Sequence, residues 1–398
     1  MPGYLFSIGK KNNKPDFDSL KDCINKGVYS TIIQEPKNGW NGTWNTPQEG
    51  TVADYLSMRE GDNIYFFIDR KIYGIGRLVN INGNCKFLNY PNANVPYDQE
   101  YNDIQDHLLY DNGQNSVNNR FICTFEPFPY FFQNGIDMDE ILSSAPEKFK
   151  ILRAFWKLSF IKFSDTENQA FKDIILRRNI DAISTPNNVN TFESNYRVNH
   201  NMIREKTNNN TDYQLGVAPF LNTINNKNGS LRHEMAIEAS LIYQITNNLQ
   251  NTINIFGSWD YITHQVIASP FKPVDYMDKM DVFGYKYIQN QKPTISDYLV
   301  VEIKKDVVNS QDILQLMKYV DWVKNEYTYG DYSMINAFML GFSYTQDALD
   351  TFLKNVERKF IKGVRPSVST EWKNVKLIQY KFNEENNLLD FTDITPNE

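Results

Sequence analysis

The stretch Leu299-Val300-Val301-Glu302-Ile303-Lys304 places an acid and a lysine inside an apolar run of the kind that forms a buried strand. Side chains alternate between the two faces of a strand, so Glu302 and Lys304 point the same way. A buried carboxylate is unfavourable unless a cation or a proton compensates its charge. The stretch therefore predicts a functional site, with an ion pair of Glu302 and Lys304 on the strand as the structural alternative.

Three further groups flank this stretch in the sequence. Residues 280–284, Met-Asp-Val-Phe-Gly, form a second apolar run with the acid Asp281 inside it. A helix predicted over residues 310–326 carries Gln315 and Tyr319 one turn apart. Earlier in the chain, apolar residues recur at helical spacing with an acid in their midst. That stripe consists of Leu231, Met235, Glu238, Ile242, Ile245 and Leu249.

The order of these elements predicts the fold of the second half of the chain. Apolar runs predict strands at 252–256, 262–268, 280–285 and 298–304. Together with the helices before and after them, these strands predict an α/β domain with a mixed central sheet over residues 230–398.

The three acids are of the type that binds a hard divalent cation. Carboxylate oxygens are the ligands that magnesium prefers, so Asp281, Glu302 and Glu238 are the expected metal ligands. The ion would polarise a phosphate oxygen and activate a water molecule. Lys304 would position that water or stabilise the charge of the transition state, and Gln315 would orient the water.

Alternatives remain open for the helical residues. Glu234, one turn before Glu238, is a rival for the role of the helical acid. A buried salt bridge from Glu238 to Arg232 or Lys304 is its structural alternative. Plain helix packing explains Gln315 as well as catalysis does.

This ordered set resembles the PD-(D/E)XK nuclease superfamily, and within it the RecB-like and archaeal mismatch-nuclease branch. The resemblance spans about residues 230–330 and rests on Glu238, Asp281, Glu302-Ile303-Lys304, Gln315 and Tyr319. It implies a restriction-endonuclease-like fold that cleaves phosphodiester bonds of double-stranded DNA with Mg²⁺, for which Mn²⁺ substitutes. A duplex cut needs two active sites, so a homodimer is expected at least during cleavage.

Residues 1–160 alternate short apolar runs with turn clusters, and the runs 63–68 and 72–79 predict a β-hairpin. The segments 26–31, 61–67, 73–77 and 120–123 resemble the PUA-like barrels of the EVE and YTH families. The resemblance implies a β-barrel with flanking helices that binds a modified nucleotide. The chain as a whole is thus predicted to have two domains of the α/β (α+β) class.

A reader of modified bases needs aromatic rings that stack on one flipped base. The expected cage residues are Tyr29, Trp40, Trp44 and Phe128. In YTH domains a tryptophan occupies the position of Tyr29, so the resemblance does not fix N6-methyladenine as the ligand. The structural alternative is that these rings belong to the core or its rim.

Between the two predicted domains, residues 161–229 are assigned to a helical and Asn-rich linker. A helix is predicted over 145–158, and a second one begins at the capping box Ser164-Asp165-Thr166-Glu167 and ends at Arg178. This region is also basic, with solvated helix faces as the plain explanation. The expected contacts to the DNA backbone are Lys157, Lys162, Arg177 and Arg178.

Composition sets limits on the partners. The 398-residue chain has a formal net charge of −7, which argues against indiscriminate coating by nucleic acid but allows a local basic surface. No apolar stretch is long enough to span a membrane, and Met1–Ser7 do not resemble a secretion signal. We therefore expect a cytoplasmic protein without a membrane partner.

The chain is thus predicted to join a domain that reads modified bases to a magnesium nuclease. This combination indicates a modification-dependent, type IV-like restriction endonuclease that defends against foreign DNA. The alternatives are a conventional restriction or repair nuclease and a non-catalytic nucleic-acid-binding subunit of a defence complex. The sequence does not specify the modification, the choice between DNA and RNA, or the position of the cut.

Overall fold

The chain forms two compact units, Met1–Gly216 and Val217–Glu398, here called unit 1 and unit 2. The computed structural model describes residues 1–12, 14–31, 46–93, 99–151, 160–216, 221, 228–269, 278–363 and 365–396. Within those residues, no helix combines the length and the apolar character that crossing a membrane requires. Both units mix helices with sheets, so the two-part α+β layout predicted from the sequence is confirmed at that level.

Unit 1 is built on a sheet whose strands follow the order β10-β1-β5-β6-β8-β4, with β7 paired to β8 and β9 to β6. Its strands are β1 Gly3–Ser7, β2 Lys10–Lys11, β3 Lys14–Pro15, β4 Val28–Thr31, β5 Asn63–Ile68, β6 Lys71–Leu78, β7 Lys86–Leu88, β8 Phe121–Pro127, β9 Ile136–Asp137 and β10 Phe160–Phe163. Its helices are α1 Phe17–Lys26, α2 Thr46–Ser57, α3 Tyr101–Ile104, α4 Met138–Ser144, α5 Asp165–Arg178, α6 Ile180–Ser184 and α7 Tyr196–Thr207.

The sheet of unit 1 curves into an open half-barrel. Its two end strands, β4 and β10, approach each other through side chains, with the ring centroids of Tyr29 and Phe160 5.6 Å apart. The predicted hairpin is confirmed as β5 and β6, and both of its turn residues, Asp69 and Arg70, have positive φ. Positive φ at both central residues matches the right-handed twist of the flanking strands.

Helix α5 covers the outer face of this sheet. Its capping box is confirmed, because the Ser164 hydroxyl accepts from Glu167 N and a Glu167 carboxylate oxygen accepts from Ser164 N at 2.7 Å. Phe171 on the helix stacks on Phe163 of β10 with ring centroids 4.3 Å apart. The helix therefore belongs to the core of unit 1.

The described residues differ from two predictions about the middle of the chain. The predicted helix over 145–158 is absent from residues 145–151, which form a 3-10 turn at Pro146–Lys148 and a bend, and residues 152–158 lie outside the described residues. Residues 161–216, assigned to a linker, belong to unit 1. The Asn-rich composition conceals α7, which buries His200 and Ile203 and packs against α1.

Unit 2 contains a mixed six-stranded sheet with the order β11-β12-β13-β14-β17-β18 and a separate hairpin of β15 and β16. Its strands are β11 Tyr261–Ile267, β12 Lys279–Tyr287, β13 Ile295–Val308, β14 Ile335–Tyr344, β15 Arg358–Lys362, β16 Val368–Trp372, β17 Val375–Asn383 and β18 Leu388–Asp393. Its helices are α8 Glu234–Thr246, α9 Gln250–Phe256, α10 Ser310–Glu326 and α11 Gln346–Asn355.

The centre of unit 2 agrees with the sequence patterns. β13 pairs antiparallel with β12 and parallel with β14, and its residues from Tyr298 to Ile303 are buried. The predicted helix over 310–326 is confirmed as α10, which begins at a capping box on Asn309. The strand predicted at 252–256 is instead the helix α9, because Thr252 and Phe256 are buried one helical turn apart.

Candidate active site

The candidate site is built from four neighbouring elements of unit 2. Helix α8 packs against β11, β12 and β13, and it contributes Glu238. Val282 of β12 faces Val301 of β13, so the register places Asp281 beside Glu302. The structure thus brings together the three acids that the sequence singled out, and Lys304 lies two residues further along β13.

Asp281 is held through both of its carboxylate oxygens. Oδ2 accepts a hydrogen bond from the backbone N–H of Ile303 at 2.7 Å, and Oδ1 accepts one from Nε2 of Gln265 at 3.2 Å. Burial, followed by the charges of Glu302 and Glu238, raises the pKa of Asp281 well above its usual range. The carboxylate is therefore fixed in place and short of compensating positive charge.

Among the described residues, one oxygen of Glu302 accepts no hydrogen bond from a nitrogen or hydroxyl donor. Its side chain is 1% exposed, Oε1 accepts from Lys304 Nζ at 2.6 Å, and Oε2 has no hydrogen-bond partner among the described residues. Burial raises the pKa of Glu302 to about 7 although Lys304 lowers it. Burial also lowers the pKa of Lys304, but its pairing with Glu302 outweighs burial and raises that pKa above its usual value.

Glu238 makes its contacts to strand β11. Oε2 lies 3.2 Å from Nδ1 of His264, and Oε1 accepts from Nε2 of Gln265 at 2.8 Å. The rival Glu234 lies one turn away, where its Oε1 is 3.5 Å from the backbone N–H of Lys305. Glu238 thus approaches the site from the side of Asp281, and both of its oxygens are engaged by protein groups.

Gln315 reaches the site through Tyr319. Its Nε2 donates to the Tyr319 hydroxyl at 2.8 Å. Tyr319 is buried, and its pKa is raised by burial first and then by the charge of Glu302. This pair therefore borders the acids, with the tyrosine facing their charge.

The donor set suits a hard divalent cation only in part. Asp281 and Glu302 supply oxygen donors, and the unpartnered Oε2 of Glu302 is the kind of buried atom that a cation would satisfy. Across the described ranges, however, no three His, Cys, Asp or Glu side chains are arranged to hold a metal ion. Glu238 lies beside Asp281, but both of its oxygens are already engaged by His264 and Gln265.

Sequence reasoning missed His264 and Gln265. His264 is 1% exposed. The available signal was a polar pair in the middle of the otherwise largely apolar run Tyr261–Ile267. A sequence pattern does not place that pair beside Glu238, because the contact depends on how α8 packs on β11.

The expected base cage is only partly described. Trp40 and Trp44 lie outside the described residues. Tyr29 is buried, its hydroxyl donates to the Ser7 carbonyl at 2.9 Å, and its ring stacks on Phe6 with centroids 4.8 Å apart. Tyr29 is therefore a core residue of the half-barrel, which differs from the accessible ring that a base needs.

Phe128 differs from Tyr29 in that it is partly exposed. The Arg77 guanidinium carbon lies 4.3 Å from the centre of its ring, and Lys172 Nζ lies 5.8 Å from it. Arg77 in turn forms an ion pair with Glu126. Phe128 thus lies among cations at the surface of unit 1.

Of the expected contacts to the DNA backbone, the structure describes three, and one of these is buried. Lys162 is buried, and burial lowers its pKa to about 8 although Asp62 raises it, so the prediction of an exposed phosphate contact was wrong. Arg177 is exposed, and Arg178 pairs with Glu140 at 2.6 Å. Lys157 lies outside the described residues.

No protein-family model matches the chain, and no curated protein does so. Among solved structures, the crystal structure of a repair endonuclease from Pyrococcus abyssi is similar, with 21% sequence identity and a TM-score of 0.19. That match covers 30% of this chain and 43% of the other, so it spans less than half of the relative. A likeness of this size carries no argument about fold or activity.

Proposed function

We propose that unit 2 is a magnesium-dependent phosphodiester hydrolase that cleaves DNA. The observation that carries the proposal is the pair of Asp281, which is half-buried, and Glu302, which is buried. Lys304 pairs with Glu302, whose other oxygen has no hydrogen-bond partner among the described residues. Buried acids in excess of buried cations destabilise a fold, so an arrangement that only supports structure gains nothing from them. A bound cation would remove that cost.

Asp281 and Glu302 would hold the ion, which would polarise a phosphate oxygen and activate a water molecule. The protein groups around them have separate roles. Ile303 N–H fixes the orientation of Asp281, and Lys304 keeps an ammonium group beside Glu302. That ammonium group would stabilise the negative charge that develops on the phosphate, and the Gln315 amide would orient the attacking water.

For unit 1 the proposal is recognition of a modified base in double-stranded DNA, which would make the whole chain a modification-dependent restriction endonuclease. Its support is Phe128, a partly exposed ring with Arg77 and Lys172 beside it, because flat rings and cations together suit a nucleobase and its phosphate. A homodimer at the moment of cleavage would supply the second active site that a duplex cut needs.

The burial of Tyr29 favours a second candidate, a conventional restriction or repair nuclease whose half-barrel binds unmodified DNA. Removing Tyr29 from the cage leaves Phe128 as its one member among the described residues. A flipped base is normally held between two faces, so one ring gives weaker discrimination.

Cleavage of glucosylated, hydroxymethylated, methylated and plain duplexes, side by side with Mg²⁺ and with Mn²⁺, tests both candidates. We expect the wild type to cut at least one modified duplex in preference to plain DNA, and Glu302→Gln to cut none. The matched control is Asp306→Asn, an exposed acid on the same strand β13, which should cut like the wild type.

Equal cleavage of plain and modified duplexes would select the conventional nuclease. Binding of DNA without cleavage of any duplex under either metal would instead select the non-catalytic subunit. Cleavage by Glu302→Gln at the wild-type rate would exclude Glu302 from the active site and with it the pair that carries the proposal.

A further inference from the structure

Strand β11 has a local distortion directly opposite Asp281. His264 pairs with Val282 and Val266 pairs with Met280, so the same register places Gln265 opposite Asp281. The backbone of Gln265 has φ 55, in the left-handed region that a residue other than glycine rarely adopts. Conformations of this kind persist where the surroundings enforce them, and they concentrate at functional sites.

The distorted residue directs its side chain at two carboxylates. Gln265 Nε2 donates to Glu238 Oε1 at 2.8 Å and to Asp281 Oδ1 at 3.2 Å. The other oxygen of Glu238 is held by His264 at 3.2 Å. One amide group thus joins the helical acid to the strand acid and separates two like charges.

We propose that Gln265 is a positioning residue through which Glu238 orients Asp281 for the cation. This inference rests on the proposed function of unit 2. Ile303 N–H holds one oxygen of Asp281 and Gln265 the other, so the plane of the carboxylate is fixed from two sides. Glu238 then acts on the metal from the second layer, and it needs no direct bond to the ion.

Replacing Gln265 with glycine distinguishes an effect on the position of Asp281 from an effect on folding. Gln265→Gly removes the amide and its two hydrogen bonds but suits φ 55, so the variant should still fold, and denaturant unfolding measures its stability. We expect its affinity for Mn²⁺, measured by calorimetry without DNA, to fall about 10- to 100-fold, as for other residues that orient metal ligands. Asn290→Gly, at another positive-φ position of unit 2, is the matched control and should keep wild-type affinity.

Gln265→Asn provides a second variant, since asparagine tolerates positive φ while its shorter side chain does not span the two carboxylates. It should fold and lose Mn²⁺ affinity as the glycine variant does. If either stable variant binds Mn²⁺ and cuts DNA like the wild type, Gln265 has no positioning role.

A double-variant cycle tests the route through Glu238. If Glu238 acts through Gln265, adding Glu238→Gln to Gln265→Gly should cause little further loss of Mn²⁺ affinity. Losses that multiply would make Glu238 an independent ligand and overturn the inference. Failure of the proposed function looks different, because the wild type and Asp281→Asn would then bind Mn²⁺ equally or not at all.

Discussion

Both units bury charged side chains, but the group around Lys162 in unit 1 and the group around Lys304 in unit 2 differ in their balance of charge. In unit 1, Lys162 and Asp62 are buried together, and each partly offsets the effect of burial on the pKa of the other. In unit 2, Asp281 and Glu302 share Lys304, and the charge of Glu302 raises the pKa of Asp281 further. The pair in unit 1 is thus balanced, whereas two acids in unit 2 share one lysine.

The largest expected effect comes from breaking the balanced pair. Lys162→Met should lower the free energy of unfolding of unit 1 by about 3–5 kcal/mol, because it removes the cation with the largest effect on the buried carboxylate of Asp62. Denaturant unfolding of the full chain measures this loss. Lys71→Met, at an exposed position of β6, is the control. If Lys162→Met loses no more stability than the control, the pair of Lys162 and Asp62 does not stabilise unit 1.

The same kind of change in unit 2 should have the opposite effect on stability. Asp281→Asn without metal should be no less stable than the wild type, because it relieves repulsion from Glu302 and Glu238. Its Mg²⁺-dependent cleavage should fall about 100-fold or more, equivalent to about 3 kcal/mol of transition-state stabilisation. Unfolding without metal and single-turnover cleavage check the two effects. Wild-type cleavage by this variant would show that Asp281 has no catalytic role, and the proposed difference between the two units would be wrong.

Glu167 of unit 1 is a buried acid whose protonation should affect the stability of the fold. Burial raises its pKa from 4.5 to about 7, so the folded state binds its proton more tightly than the unfolded chain. The resulting stability is complete below about pH 4.5 and is lost as the pH rises to about 7, by about 3–4 kcal/mol. Glu167→Gln should remove this pH dependence. Parallel pH profiles of unfolding for the two proteins would contradict the assignment.

The smallest expected effect concerns the half-barrel. Tyr29→Phe keeps the buried ring and removes the hydrogen bond to the Ser7 carbonyl, so stability should fall by about 1 kcal/mol. Because the ring is in the core, the ratio of affinities for modified and plain duplexes should stay at its wild-type value. Binding isotherms at fixed salt measure that ratio. A change in the ratio without loss of stability would indicate that Tyr29 contacts the base.

The central strands of unit 2 were predictable because apolar runs with a single acid are a local pattern. The run at 252–256 was misassigned since a short apolar segment fits a helix turn as well as a strand. For Lys162 the signal was present, since it lies inside the apolar run Phe160–Phe163. The role of Gln265 could not be predicted from the sequence, because it depends on the register between β11 and β12 and on the packing of α8.

The position of β13 has a consequence for how the site responds to heat. Glu302 and Lys304 lie on a strand that is hydrogen-bonded on both sides, to β12 and to β14. Amides in such central strands exchange with solvent mainly through global opening of the domain, not through local fraying. The acids and the lysine are therefore expected to keep their geometry up to the temperature at which unit 2 itself melts, so that heat would inactivate the site and unfold its sheet in one cooperative step.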